Sequence, residues 1–349
     1  METKIWYVDN PVNKEEVYPQ IVDAAKNLQL GQVVAFPTET VYGLGANALS
    51  DEAVQRIFQA KGRPSDNPLI VHIANKEQLD NLVEEIPLDA KKLMDAFWPG
   101  PLTLILKSKK NVSKYVTAGL STVGIRMPDH PVALALIEAC NLPIAAPSAN
   151  TSGKPSPTSA KHVFEDLNGR IVGIVDGGST GVGVESTVID CSQAIFTILR
   201  PGSITPEMIK EIIPTVEVDP ATMKENEAPK SPGMKYKHYA PDAQMHLVNG
   251  SIEFMHKLIH NSKTEGKRVG ILTTEENASQ YDADVILTCG KRSDLSTVAA
   301  ALYDCIRKFN EEHVDIIYCE TFPYEGIGIA IMNRLWKACG HSVISECEI

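Results

Sequence analysis

The sequence predicts an α/β protein of two domains, a larger N-terminal one on a twisted mixed sheet with helices and a smaller C-terminal Rossmann-like α/β/α one on a parallel sheet. Three observations lead there. At about 150 residues per domain, 349 residues supply about two cores. Apolar runs alternate with amphipathic helical stretches along most of the chain. Between Thr215 and Pro232 that alternation gives way to an acidic, polar stretch carrying Pro220, Pro229 and Pro232, the composition of a linker. The expected division is a catalytic domain over 1–212, a linker over 213–243 and a second domain over 244–349.

In the first domain, Gln20–Leu30 has a helical pattern and Gln32–Phe36 reads as a strand, while Asp51–Ala60 sets Val54, Ile57 and Phe58 on one helical face. Further strands are expected at Leu69–Ile73, Leu102–Lys107, Gly124–Met127, Pro143–Ala146, Ile171–Val175, Ser186–Asp190 and Phe196–Leu199. Helices are expected near Ala90–Phe97, Pro131–Ala139 and Ser159–Leu167. Several strands follow one another without a helix between them, so the sheet reads as mixed. The pattern weakens after Pro201-Gly202 and resumes at Gln244. There it runs strand (Met245–Val248), helix (Ile252–Asn261), strands (Arg268–Leu272 and Val285–Leu287), helix (Leu295–Glu311), strand (Val314–Cys319) and helix (Gly328–Ala338). That order suits a small doubly wound parallel sheet.

Composition narrows the function classes. Hydrophobic residues make up 43% and charged residues 22%, ordinary for a globular protein. The net charge is −11, and basic residues are outnumbered 23 to 19 over 1–210 and 21 to 14 over the remainder. Neither part is a polycation, which argues against a dedicated nucleic-acid binder. Met1–Val22 carries Glu2, Asp9, Glu15 and Glu16 without the apolar core of a signal peptide. The most apolar stretch, Val132–Ala146, is broken by Glu138, Asn141 and Pro143 short of the ~20 residues of a membrane helix. Seven cysteines, with no Cys-x-x-Cys pair, fit reduced thiols rather than a disulfide frame or zinc site. A cytoplasmic protein with no membrane partner and no tightly held metal is expected.

Each motif has a plain structural reading beside a chemical one. Gly43-Leu-Gly45-Ala-Asn-Ala48 matches the spacing of a dinucleotide fingerprint, but the next helix starts only after Ser50 and no acidic residue ends the following strand, so a tight loop is expected. Lys61-Gly62 suits a helix C-terminus, whereas Arg63, past the glycine in Arg63-Pro64-Ser65-Asp66-Asn67-Pro68, is either a cap or an anion contact. His72, inside an apolar strand, reads more readily as a core histidine than as a catalyst. Arg126, in Val123-Gly-Ile-Arg-Met127, requires an anion, either a carboxylate of the fold or one of a ligand. Ala146-Pro-Ser148-Ala-Asn150-Thr-Ser-Gly153, with Ser156 and Thr158, reads as a turn or as hydroxyl and amide donors around phosphates. Gly177–Thr187 is a second loop of that kind. There is no Walker sequence, no Gly-x-Ser-x-Gly and no His-Glu-x-x-His. The residues alone lead to an anion-binding α/β enzyme.

Phe36-Pro-Thr-Glu-Thr-Val-Tyr-Gly-Leu-Gly45, Lys61-Gly-Arg63 with Pro68-Leu69 and His72, Pro147-Ser-Ala-Asn150, and Ser186-Thr187 followed by Leu199-Arg-Pro-Gly202 resemble the YrdC-type threonylcarbamoyl-AMP synthases, in order through the whole first domain. Ser231-Pro-Gly-Met-Lys-Tyr-Lys-His-Tyr-Ala-Pro241 and the α/β tail are similar to the two-domain form of that family. The resemblance implies condensation of L-threonine, bicarbonate and ATP, with Mg2+ accompanying ATP, to threonylcarbamoyl-adenylate and pyrophosphate. A downstream tRNA-modifying transferase would take the product to the adenosine beside the anticodon. It further implies that Thr40, His72, Arg126, the backbone at Ala146, and Ser186 hold threonine. Arg63, Asn67, Thr122, Ser148, Ser156, Arg200 and a linker residue, Tyr236 or His238, would hold ATP, and Lys61, Arg63, Ser148 and Asn150 would form the catalytic quartet. Two other readings compete: a module making weak contact with RNA, which the charge balance disfavours, and a carbamoyl-transfer module of the hydrogenase-maturation type, whose cysteine pairs this chain lacks.

Overall fold

Helix boundaries follow cap chemistry. The helix Asp51–Lys61 opens where the Ser50 hydroxyl accepts from Ala53 N–H, carries Asp51 and Glu52 in its first turn, and closes on Gly62 at φ 62°. Such a left-handed residue costs a glycine nothing. The computed structural model describes residues 2–8, 18–220 and 239–348. These fall into two compact units. The first holds the described residues up to Ser152, Ser156–Gly181, and those from Glu185 to 220; the second holds Gly153–Pro155, Val182–Val184 and the described residues from Tyr239 onward.

The first unit runs β1 (Lys4–Tyr7), α1 (Pro19–Gln29), β2 (Val34–Phe36), β3 (Gly43–Asn47), α2 (Asp51–Lys61), β4 (Ile70–His72), α3 (Leu88–Phe97), β5 (Leu102–Lys107) and α4 (Lys114–Thr117). It continues through β6 (Thr122–Arg126), α5 (Pro131–Cys140), β7 (Ile144–Ala145), α6 (Ala160–Leu167), β8 (Gly173–Asp176), β9 (Thr187–Asp190), β10 (Thr197–Arg200), α7 (Pro206–Ile212) and β11 (Glu217–Val218). The strands form one mixed sheet in the order β1-β8-β2-β3-β7-β4-β6-β5-β9-β10-β11. For instance, β4 pairs with β6 in parallel and β5 with β6 antiparallel.

The two halves of this sheet are covered differently. Around β2, one face carries Val34 and Phe36 into a core shared with Ile21 and Leu28 of α1 and Val132 and Leu136 of α5, while Ala35 joins the larger core on the other side. In the second half, Val71 of β4, Val123 and Ile125 of β6, Leu102, Leu104 and Leu106 of β5, and Ile189 of β9 all enter that larger core. Side chains alternate along a strand, so the opposite face there carries Ile70 and His72, Thr122, Gly124 and Arg126, Thr103 and Ile105, and Val188. That face therefore carries three of the expected site residues, His72, Thr122 and Arg126.

The second unit contains β12 (Gln244–Asn249), α8 (Ile252–Thr264), β13 (Val269–Thr273), β14 (Val285–Thr288), α9 (Leu295–Glu311), β15 (Ile316–Glu320), α10 (Gly328–Ala338) and β16 (Val343–Ser345). Its five strands, ordered β14-β13-β15-β12-β16, are all parallel, the sheet expected of a Rossmann-like domain.

The structure corrects several expectations. Gly43–Asn47 is a strand paired with β2 and β7, not a tight loop. Its glycines serve packing: a Cβ on Gly45 would lie 2.8 Å from both Ile144 Cγ2 and Phe36 Cε1. After Pro201-Gly202 the chain forms α7, and Glu217–Val218, inside the stretch read as linker, pairs with β10 at the sheet edge. β1 and β16 were not expected at all.

Candidate active site

The predicted residues fall into four groups. At the carboxyl ends of β4 and β6, His72 and Arg126 are register partners. The Arg126 guanidinium, with its side chain 5% exposed, donates from Nη1 to Thr40 Oγ1 (2.9 Å) and from Nε to the Gly100 carbonyl (3.2 Å), and Nη2 lies 2.6 Å from Glu39 Oε2. Thr38 Oγ1 donates to Val41 O (2.7 Å) and stands 2.9 Å from Thr40 Oγ1, so Thr40 donates to Thr38 while accepting from Arg126. Of the two alternatives read for Arg126, the carboxylate of the fold is the one seen here: Glu39 pairs with it, beside the Thr40 hydroxyl that the resemblance assigns to threonine.

His72 is 4% exposed, with its ring edge-on to Phe36 at 6.1 Å. Its Nδ1 is buried without a hydrogen-bond partner among the described residues. Burial, helped by the Arg126 cation, pushes its pKa down to about 3. The imidazole is thus neutral at pH 7 and can hydrogen-bond a ligand but not supply a positive charge. The neighbouring strand β7 pairs with β4, and Ala146, just beyond it, is fixed by its N–H bond to the Ile70 carbonyl (2.9 Å).

The second group joins α2 to the Ser148 turn. Lys61 is 2% exposed, and its Nζ donates to the carbonyls of Ser148 (2.5 Å) and Asn150 (2.6 Å). Asn150 Oδ1 lies 3.4 Å from Nζ and accepts from Ser148 Oγ at 2.5 Å. The dipole reading of Lys61 is insufficient: the cation is buried in a polar network and organises two of the residues grouped with it. Arg63 follows Gly62, with Nη2 3.5 Å from the Asn67 carbonyl and its guanidinium 6.0 Å from the Phe58 ring centroid. Asn67 is 3% exposed, and its Nδ2 is buried without a partner among the described residues.

In the third group, Arg200 at the end of β10 donates from Nε to the Ser186 carbonyl (3.0 Å) and from Nη2 to Ser186 Oγ (3.2 Å), which also bonds Thr103 Oγ1 (2.8 Å). Ser156, 1% exposed, donates to Glu185 Oε1 at 2.6 Å. Thr122, fourth, begins β6 at the end away from Arg126, opposite Lys107 of β5. Tyr236 and His238 lie outside the described residues.

Sequence reasoning did not assign Glu39 or Thr103. Glu39 sits in a threonine-flanked turn, where a carboxylate ordinarily caps backbone, and Thr103 is marked only by strand alternation. No cluster of three or more His, Cys, Asp or Glu residues able to hold a metal occurs among the described residues, and no helix among them is long and apolar enough to cross a membrane.

Comparison with known proteins identifies the family. A family model described as telomere recombination matches residues 26–202, and one described as threonylcarbamoyl-AMP synthase, C-terminal domain, matches 204–340. The threonylcarbamoyl-AMP synthase of Bacillus subtilis is 58% identical over 345 residues, 99% of this chain and 100% of that one. That of Pyrococcus abyssi is 49% identical over 92% of this chain and 94% of its own. A crystal structure of P. abyssi Sua5 complexed with L-threonine superposes with a TM-score of 0.92 at 47% identity, covering 98% of this chain and 99% of that one. With its mixed-sheet first unit, its parallel second sheet and these matches along nearly the whole length, the chain belongs to the threonylcarbamoyl-AMP synthase family.

Proposed function

We propose that this chain condenses L-threonine, bicarbonate and ATP to threonylcarbamoyl-adenylate, pyrophosphate and water, the first step in building threonylcarbamoyladenosine in tRNA, with a separate transferase consuming the product. The observation that carries the reading is the buried Lys61–Ser148–Asn150 network, a cation held among a hydroxyl, an amide and two carbonyls.

The chemistry matches such a site. The amine of threonine adds CO2, derived from bicarbonate with loss of water, to form a carbamate; a carbamate oxygen then attacks the α-phosphorus of ATP and pyrophosphate leaves with the bonding electrons. These steps rest on positioning and charge neutralisation. In this reading Arg126 holds the threonine carboxylate, with Thr40, neutral His72, the Ala146 backbone and Ser186 around the rest of the molecule. Arg63 and Arg200 balance phosphate charge, with Asn67, Thr122, Ser148, Ser156 and linker residue Tyr236 or His238 completing the nucleotide contacts. Lys61 holds Ser148 and Asn150 where the carbamate meets the phosphate. Residues 1–212 would then be the catalytic domain, 213–243 the linker and 244–349 the second domain. Mg2+ would accompany the ATP phosphates, as part of the substrate. A cytoplasmic setting follows from a tRNA-directed product.

The test is pyrophosphate release by the purified chain. It should require both L-threonine and bicarbonate and leave an AMP-containing product. Equal release without threonine, or ADP as the product, rejects the reading.

A further inference from the structure

The Thr38–Glu39–Thr40 turn carries a carboxylate that the turn itself does not use. Thr38 closes it: its Oγ1 donates to the Val41 carbonyl at 2.7 Å and accepts from the Thr40 backbone N–H at 3.2 Å. Glu39 caps no backbone. Its side chain is 14% exposed, both carboxylate oxygens are buried, and neither accepts a hydrogen bond among the described residues. Arg126 Nη2 lies 2.6 Å from Oε2, yet the contact lacks the alignment of a hydrogen bond, and Nη2 has no other acceptor among the described residues. A carboxylate that serves only to neutralise a buried guanidinium gains most from the aligned, two-pronged contact. Here both charges keep bonding capacity unspent inside the protein, which is costly until a partner takes it up.

The surrounding charge narrows what that partner is. His72 sits beside Arg126 in register, and the Nδ1 atoms of His72 and His130 are both buried without hydrogen-bond partners. Burial holds both imidazoles below the ordinary histidine value, to about 3 for His72, and for His130 it outweighs the opposing pull of Glu39 and of Asp129, which is exposed. Neither ring is a cation at pH 7, so the buried charge is one guanidinium against one carboxylate. An anion arriving alone at Arg126 would meet the like charge of Glu39, and a cation alone at Glu39 would meet Arg126. A ligand with an anion and a cation one carbon apart meets both and leaves the balance unchanged. Free L-threonine is such a zwitterion at neutral pH.

We propose that Glu39 is a specificity-determining residue that receives the α-ammonium of threonine while Arg126 Nη2 takes the carboxylate. The inference rests on the reading of L-threonine as substrate and adds a contact for its amine. It makes the site select an amino acid over a hydroxy acid of the same shape, and it holds the nitrogen that becomes the carbamate nitrogen.

Calorimetric titration of the full chain with L-threonine and with (R)-3-hydroxybutyrate, which is threonine without its amine, tests this on the wild type, Glu39→Gln and Glu39→Asp. The wild type should bind threonine about ten- to a hundredfold more tightly than the analogue. Glu39→Gln keeps the shape and loses the charge, so threonine should weaken by about that factor while the analogue, freed of a like charge, binds as well as before or better. Glu39→Asp keeps the charge but withdraws it by one methylene, and the same shift towards the analogue is read from it should the melting curve show the glutamine variant unfolded. Equal affinity of the wild type for the two ligands overturns the proposal. So does a loss in the variants that falls equally on both, which makes Glu39 a support for Arg126 alone, or tighter threonine binding by Glu39→Gln, which makes the carboxylate a competitor for the arginine. Failure of the wild type to bind either ligand removes the threonine reading and this inference with it, a result distinct from equal binding of the two.

Discussion

Arg126 offers a perturbation in which fold and function can be separated. Its guanidinium spans Thr40 Oγ1 at 2.9 Å, the Gly100 carbonyl at 3.2 Å and Glu39 Oε2 at 2.6 Å, with side-chain exposures of 5% and 14% for the ion pair. Arg126→Ala leaves the Glu39 carboxylate nearly buried with its counter-ion gone. Breaking a buried pair in this way costs about 3–5 kcal/mol, which for a unit of this size lowers the melting temperature by about 6–20 °C. It also removes the cation assigned to the threonine carboxylate, a charge-assisted contact of about 1.5–3 kcal/mol, or roughly ten- to a hundredfold in affinity. The double variant Arg126→Ala/Glu39→Gln removes the stranded charge as well. It should recover most of the lost melting temperature while threonine affinity stays low. Differential scanning calorimetry and threonine titration on the three chains read the two effects independently. A double variant that binds threonine like the wild type would falsify the role of Arg126 as carboxylate receptor, and a single variant that melts at the wild-type temperature would refute the argument from the buried pair.

Lys61→Met, which keeps the stem but deletes the ammonium, should lower kcat by about ten- to a hundredfold, with a smaller change in KM for threonine, because the Ser148 and Asn150 carbonyls lose their shared donor. Steady-state pyrophosphate release measures it; an unchanged kcat would return the lysine to a purely structural role. His72 has a folded-state pKa of about 3 against 6.5 for the free side chain, so below 6.5 the unfolded chain binds the proton that the folded chain refuses. Its contribution to stability is therefore intact above pH 6.5 and declines as pH falls from 6.5 towards 3. Melts of the wild type and His72→Asn across that window should converge as the solution becomes acid, and parallel curves would show that the imidazole is not held neutral.

What the sequence disclosed depended on whether each pattern had a local cause. Strands such as β5 were legible as a continuous apolar run, because Leu102, Leu104 and Leu106 point into one core while Ile105 packs into a smaller cluster on the other face. β3 was illegible because its glycines answer to the Phe36 ring and to Ile144, partners that no local pattern displays. α7 did leave a local signal, Thr205 capping Met208 N–H with Pro206 at the first turn, but a Pro-Gly pair just before it masked the start. The site divides in the same manner. Lys61 and Ser148 are 87 positions apart, so spacing alone could not join them, and only the family resemblance grouped them. β6 shows the limit most plainly. Thr122, Gly124 and Arg126 alternate with buried Val123 and Ile125, and the polar side of such a strand ordinarily faces water. Here Arg126 on that side is 4% exposed, so this side is covered rather than open to solvent. A period of two reports which side chains avoid the core; whether water or a substrate takes their other side is decided by distant elements such as the Thr38–Glu39–Thr40 turn, which brings a carboxylate and a hydroxyl to the arginine.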